Sequence, residues 1–373
     1  MKIPLSKPFL GQEEFNEVKK VLNSGWLTHG PKNEEFETAF AKYIGVDYAI
    51  SLNSCASALF AAVKSLGLTG EVILPSFTFV ASANTIVAAG AKPVFAEVEW
   101  QSGNIDPEDV KRKITRRTEA LMPVHFAGQA CRMDEIMKIA KEHKLSVIED
   151  SAEAIGAKYQ GKKTGLFGVG CFSFFPTKNI TTGEGGMVTT NDKKLWQKIK
   201  ALAGHGISKT TSQRLKAKKP WDRAATMVGY NFRMSNILAA IGAEQMKKLE
   251  KMNNLRRAHA AYLNDGLKNI SSIEIPTPAK NCLHVYQMYT IKLKKGNRDA
   301  LVRKLKEKGI EASVHFDPPV HLQPFYMKTY GCKKGDLPIT ERLSQSIITL
   351  PMFPTMKKQE LDFIISTLKE FVT

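Results

Sequence analysis

The chain has no uninterrupted apolar run of the ~18–20 residues that a membrane-spanning helix requires. Its opening Met1-Lys2-Ile3-Pro4 shows none of the apolar core of a signal peptide. A cytoplasmic protein without a membrane partner is therefore expected. Cysteine is sparse: Cys55, Cys131, Cys171, Cys282 and Cys332 are odd in number, far apart and form no CxxC pair, which argues for reduced thiols and against a bound metal. Internal repeats and low-complexity segments are missing as well.

Acidic residues are outnumbered, 36 Asp+Glu against 54 Lys+Arg, for a formal charge of +18. Such an excess suits a nucleic acid, an anionic membrane surface or a small polyanionic ligand. The densest stretch, Asp192 to Lys219, includes Lys193, Lys194, Lys198, Lys200, Lys209, Arg214, Lys216, Lys218 and Lys219. No zinc finger, RRM signature or helix-turn-helix accompanies it, so no nucleic-acid partner is expected. A solvated basic face and a site for a small polyanion are the two readings left.

With 373 residues, 43% of them hydrophobic, the chain is long enough for two or so folded domains. From about residue 45 to 190, short apolar or β-branched runs alternate with amphipathic stretches, the pattern of βα units. Expected strands are Tyr48–Leu52, Val72–Leu74, Pro93–Val98, Ala120–His125, Leu145–Glu149, Cys171–Phe175 and Gly186–Thr190, with a helix over Met133–His143. A helix over Glu13–Ser24 places Phe15, Val18, Val21 and Leu22 on one stripe and stops at Gly25. A long helix from Ser235 to about Lys268 leads to Pro276-Thr277-Pro278. Beyond it, Val285–Leu293 and Glu311–His315 read as strands, and Arg298–Lys308, capped by Asn297, and Lys358–Phe371 as helices. The expected fold class is α/β: a large, mainly parallel α/β/α domain over residues 1–250, including an N-terminal arm, and a smaller α+β domain over 251–373.

Three local features each suit one part of the same cofactor. In Tyr48 to Ala62 a strand ends at Asn53-Ser54-Cys55-Ala56 and opens at once into an alanine-rich helix, so unpaired N–H groups there either face a phosphate or are capped by Ser54. In Val147 to Ala154 an apolar strand delivers Asp150 at its carboxyl end, where ligands of open α/β sheets bind; the acid could cap a helix, bind a metal or pair with a protonated ring nitrogen. In Phe172 to Gly186 a single lysine, Lys178, follows an apolar strand and precedes a glycine-rich bend. It either reaches solvent or, partly desolvated, attacks a carbonyl. Pyridoxal 5'-phosphate needs a lysine for a Schiff base, a carboxylate against the pyridinium nitrogen and a cup of donors for its phosphate. All three are present.

These features, together with Ile3-Pro4-Leu5-Ser6-Lys7-Pro8, Ser24 to Pro31, Pro75 to Phe79, His125 to Gln129, Gly229 to Asn236 and His321 to Pro324, resemble the DegT/DnrJ/EryC1/StrS sugar aminotransferases over nearly the whole length. That family has the type I fold of aspartate aminotransferase. The resemblance implies that Lys178 is the Schiff-base lysine and also moves the substrate proton, and that Asp150 pairs with the pyridinium nitrogen. It implies that Phe79 stacks on the ring, the alternative being a core phenylalanine. Ser173 matches a phosphate-binding hydroxyl, and Asn231 an asparagine that reaches the phosphate of the neighbouring subunit, which makes a homodimer with shared sites the expected assembly.

The chain departs from the family pattern at two places. Cys55 and Ala56 stand where many relatives have Gly-Thr, leaving Ser54 or Ser57 to supply a hydroxyl. Glu153 stands where glutamine or histidine is common and is expected to hold or share a proton beside the cofactor's phenolic oxygen. Glutamate there resembles the perosamine-synthase-like branch. Trp26, Thr28 and His321 from these motifs, and Lys209 from the basic stretch, are candidate substrate-binding residues. The implied reaction is ping-pong: L-glutamate leaves as 2-oxoglutarate, and its amine passes to a nucleotide-linked 4-keto-6-deoxyhexose to give a 4-amino sugar. Formation of a 3-amino sugar, a related dehydratase and a non-catalytic basic regulator are the alternatives; lysine at 178 separates the chain from dehydratases, which carry histidine.

Overall fold

The computed structural model describes residues 1–207, 219, 221 and 223–372. Seven strands form the central sheet: β1 (Tyr48–Leu52), β2 (Glu71–Pro75), β3 (Lys92–Ala96), β4 (Thr118–Leu121), β5 (Ser146–Asp150) and, beyond a small ribbon of β6 (Lys158–Tyr159) and β7 (Lys162–Lys163), β8 (Val169–Ser173) and β9 (Gly186–Thr190). Their order is β1-β9-β8-β5-β4-β2-β3. Five strands from β8 through β3 run parallel, and β9 alone is reversed against both neighbours.

Strands β2, β8 and β9 are buried at every residue, as a sheet covered on both faces requires. On one face, α3 (Cys55–Leu66), α4 (Val80–Ala89) and α7 (Lys193–Ala203) pack Leu59, Ile86 and Ile199 onto Val72, Ile148 and Val188. On the other, α5 (Pro107–Lys113) and α6 (Met133–His143) cover Ile73, Leu121 and Val147. At the β1 edge, Phe36 and Phe40 of α2 (Pro31–Ile44) meet Phe174 and Phe172 with ring centroids 5.0 and 4.9 Å apart, near the long helix Asn236–Leu267.

A second, antiparallel sheet, β10 (Ile273–Glu274), β12 (Tyr289–Leu293) and β13 (Ile347–Leu350), has its own core with the closing helix Lys358–Val372. Strand β11 (Cys282–Leu283) joins the ribbon instead.

Tyr48–Leu52, Gly186–Thr190 and Met133–His143 lie where the sequence placed them. The expected strand Ala120–His125 ends at Leu121, because Pro123 cannot donate to a ladder. Glu311–His315 is no strand: Ser313 alone bridges Thr349, and the chain then leaves the sheet edge. On α1 (Gln12–Ser24) only Val21 of the apolar stripe is buried; Phe15 and Leu22 are exposed. Among the described residues no helix is long and apolar enough to cross a membrane.

Candidate active site

The strand ends meet around a cavity of about 440 Å³, lined among others by Ser54, Cys55, Ala56, Phe79, Asp150, Glu153, Ser173 and Lys178. Gly186 explains how two walls come so close. It pairs with Leu52 of β1 on one side and Ser173 of β8 on the other, and the turn into α3 crosses directly over it. A Cβ at 186 would lie 2.4 Å from the Ser54 carbonyl and 2.6 Å from the Cys55 nitrogen. Ser54 caps α3, its Oγ accepting from Ser57 N at 3.0 Å. The N–H groups of Cys55 and Ala56 take no protein partner among the described residues. A helix start with free donors at a cavity wall suits an anion. Burial, and next the nearby Asp150, push the Cys55 thiol well above its usual range, so it is neutral.

Asp150 closes β5, held on both backbone sides: its N–H donates to Pro123 O at 2.9 Å and its carbonyl accepts from His125 N at 3.0 Å. Its carboxylate accepts from Ser82 Oγ at 2.8 Å and Ala152 N at 3.2 Å. Burial nevertheless raises its pKa, the two hydrogen bonds opposing only in part and Glu153 adding to the rise. A carboxylate so placed calls for a cation in the cavity.

Lys178 stands in the loop after β8, its own N–H donating to Phe175 O at 2.9 Å. Its Nζ is 3.3 Å from Glu153 Oε1. The other Glu153 oxygen accepts from Ala127 N at 3.0 Å. That amide is presented by a kink at Ala127 (φ 56°) and Gly128 (φ 104°), pinned by Asn104 on Phe126 N at 2.8 Å, while His125 is buried against Glu149 at 3.0 Å. The His125–Gln129 motif therefore positions Glu153. Lys178 and Glu153 also border a smaller chamber of about 70 Å³ with Ser6, Gln287 and His315. Phe79, the residue before α4, is 64% exposed on the cavity wall and is no core residue. Ser173 Oγ also faces the cavity, 3.4 Å from Phe175 N.

Asn231 is exposed and lies outside this cavity, its backbone bridged to Gly204. Trp26 and exposed Thr28 are outside it too; Trp26 Nε1 donates to His29 O at 3.1 Å, and the Trp26 carbonyl accepts from Asn236. His321 is not available to a substrate. It is 1% exposed, with Nδ1 on Ser76 Oγ at 2.7 Å and Nε2 on Glu341 at 3.2 Å. Lys209, with Arg214, Lys216 and Lys218 of the basic stretch, lies outside the described residues. Ser82, His315 and the Ala127 amide are site groups that sequence reasoning missed. Ser82 carries no local signal, since it meets Asp150 across 68 residues.

The profile of the DegT/DnrJ/EryC1/StrS aminotransferase family matches residues 8–369. The chain belongs to that family. Spore coat polysaccharide biosynthesis protein SpsC of Bacillus subtilis (strain 168) is 38% identical over 99% of this chain and 97% of its own. Helicobacter pylori PseC, an aminotransferase involved in the biosynthesis of pseudoaminic acid, superposes with a TM-score of 0.94 at 29% identity, covering 100% and 99% of the two chains. DesI, solved in the presence of its TDP-sugar product, gives 0.89 at 28% identity over 100% and 93%.

DegT/DnrJ/EryC1/StrS aminotransferases depend on pyridoxal phosphate and share this mainly parallel α/β fold. The residues present fit that group. An amine and a buried carboxylate bonded only to neutral donors among the described residues face one cavity with a helix N-terminus that has free donors and an uncovered phenyl ring.

Proposed function

We propose that this aminotransferase moves the amino group of L-glutamate onto a nucleotide-linked 4-keto-6-deoxyhexose, releasing 2-oxoglutarate and a 4-amino sugar. The observation that carries the reading is the meeting of Lys178, Glu153 and Asp150 on one cavity wall. Bound there, the cofactor supplies an aldehyde that links to an amine and a protonated ring that withdraws the electron pair released when a carbon–hydrogen bond breaks.

Lys178 would carry the cofactor and, once released, take and return the substrate proton at Nζ. Glu153 Oε1 receives the hydrogen bond of that amine, and its place beside the lysine favours the perosamine-like branch of the family. Asp150 would keep the ring nitrogen protonated, Phe79 would cover the ring, and Ser54, Cys55, Ala56 and Ser173 would hold the phosphate. Asn231, exposed and away from its own cavity, supports a homodimer in which it completes the neighbour's phosphate site; the bare Phe15 and Leu22 of α1 are further surface for a second copy. The net charge of +18 suits a diphosphate-bearing substrate.

Incubation with glutamate and a panel of nucleotide-linked keto-sugars, with products identified by mass spectrometry and NMR, tests this. A 4-amino sugar formed with stoichiometric 2-oxoglutarate is expected. A 3-amino product would overturn the assigned position, and a deoxysugar without 2-oxoglutarate would overturn amine transfer itself.

A further inference from the structure

Three consecutive residues around the reactive amine are each tied to a side chain from outside their loop. Gln287 Nε2 donates to the Thr177 carbonyl at 2.8 Å. Arg256 Nη2 lies 3.5 Å from the Lys178 carbonyl. Asn179 Nδ2 donates to Asn253 Oδ1 at 2.8 Å. Asn253 and Arg256 are one turn apart on the long helix.

Arg256 is the unusual member of the three. It is 2% exposed, and its Nε and Nη1 have no protein partner among the described residues. Burial alone draws its pKa down to about 10, with no carboxylate acting against it. A buried cation without a counter-ion weakens the fold that encloses it, and an apolar side chain of similar length would fill the same space without that penalty. Packing therefore gives no reason for arginine here. The one protein group it addresses is the Lys178 carbonyl, which takes no other donor among the described residues.

We propose that Arg256 is a positioning residue for Lys178: from the long helix its guanidinium holds the lysine's carbonyl and so keeps the amine at the cavity. The proposal rests on Lys178 being the cofactor's attachment point. The charge–dipole attraction acts on the carbonyl of a turn that the Lys178 N–H to Phe175 O bond closes from within. Gln287 and Asn253 hold the two flanking residues but leave this peptide unsecured.

The test uses full-length wild type, Arg256→Met and Arg256→Lys, each stripped of cofactor. Thermal unfolding is measured first. The rate at which added pyridoxal phosphate becomes linked is then followed by borohydride trapping, with the modified lysine located by peptide mass spectrometry. Arg256→Met is expected to unfold at the wild-type temperature or above and yet to link roughly tenfold more slowly, as loss of one charge-assisted contact implies; Arg256→Lys should recover part of the rate. An unchanged rate in Arg256→Met overturns the proposal. So does a variant that fails to fold, or one whose stability and rate fall together without recovery by lysine, since either outcome makes Arg256 a structural residue. Label found on another lysine in the wild type would instead overturn the reading of Lys178 itself.

Discussion

Gly186→Ala probes the phosphate turn through the backbone alone. The added methyl would sit 2.4 Å from the Ser54 carbonyl and 2.6 Å from the Cys55 nitrogen, against ordinary contacts of 3.4–4 Å. Strand β9 cannot yield, because Gly186 lies between Leu52 and Ser173 in an inner ladder. The turn must therefore withdraw by about 1 Å, carrying the free N–H groups of Cys55 and Ala56 with it. Two hydrogen bonds to a charged phosphate contribute about 1.5–3 kcal/mol each. Weakening both by half loses roughly 1.5–3 kcal/mol, about ten- to a hundredfold in affinity, and crowding costs the fold about 1–3 kcal/mol. The informative assay compares binding of pyridoxal phosphate with binding of pyridoxal, which lacks the phosphate but can still reach Lys178. The preference for the phosphorylated form should fall about ten- to a hundredfold. A folded variant that keeps the wild-type preference would show that α3 does not hold the phosphate.

Asp150→Asn should slow amine transfer sharply and loosen the cofactor. Burial raises the pKa of this carboxyl in the folded state above its ordinary 3.8, so the stability it contributes below that pH is lost as pH rises through the folded-state value. The stripped variant should consequently resist heat at pH 7 at least as well as wild type; a clear loss there would contradict the picture of a carboxylate held for a cation. His284 lies within 4.0 Å of the Tyr286 ring, centroid to centroid, and burial takes it from 6.5 down to about 3. The native state excludes a proton that the unfolded chain accepts, so stability should decline by something on the order of 4 kcal/mol as pH drops from 6.5 toward 3. His284→Gln should flatten the urea midpoint over that range; parallel curves for variant and wild type would refute the buried-neutral assignment. Mixing Lys178→Ala with Asn231→Ala should restore activity that neither variant has alone, through hybrid dimers retaining one intact site, and no recovery after subunit exchange would argue against a shared site.

Four of the candidate cofactor residues were legible as a group because each follows a strand that the apolar pattern marks: Ser54 after β1, Asp150 at the end of β5, Ser173 and Lys178 around the end of β8. What surrounds those residues was not. Ser82, Gln287 and Arg256 act across 68, 110 and 78 residues respectively, and nothing in local periodicity records such approaches. Glu311 to His315 has the alternation of a strand, but bringing His315 to the cavity interrupts the pairing after one bridge. His321, polar and within a family motif, reads as a ligand; only its tertiary partners Ser76 and Glu341 reveal that both ring nitrogens are engaged.

The loop bearing Lys178 begins at Ser173 and ends at Gly186, and these two residues face each other across adjacent strands. Its span is thus closed at the root, like a ring of set circumference. Inserting one residue would displace the amine by up to ~3.3 Å, whereas exchanging the side chain at 178 leaves the surrounding frame untouched. Descendants of such a scaffold are free to alter their reaction by point replacement there, but not by changing the length of that segment, and new sugar preferences have to arise in other loops.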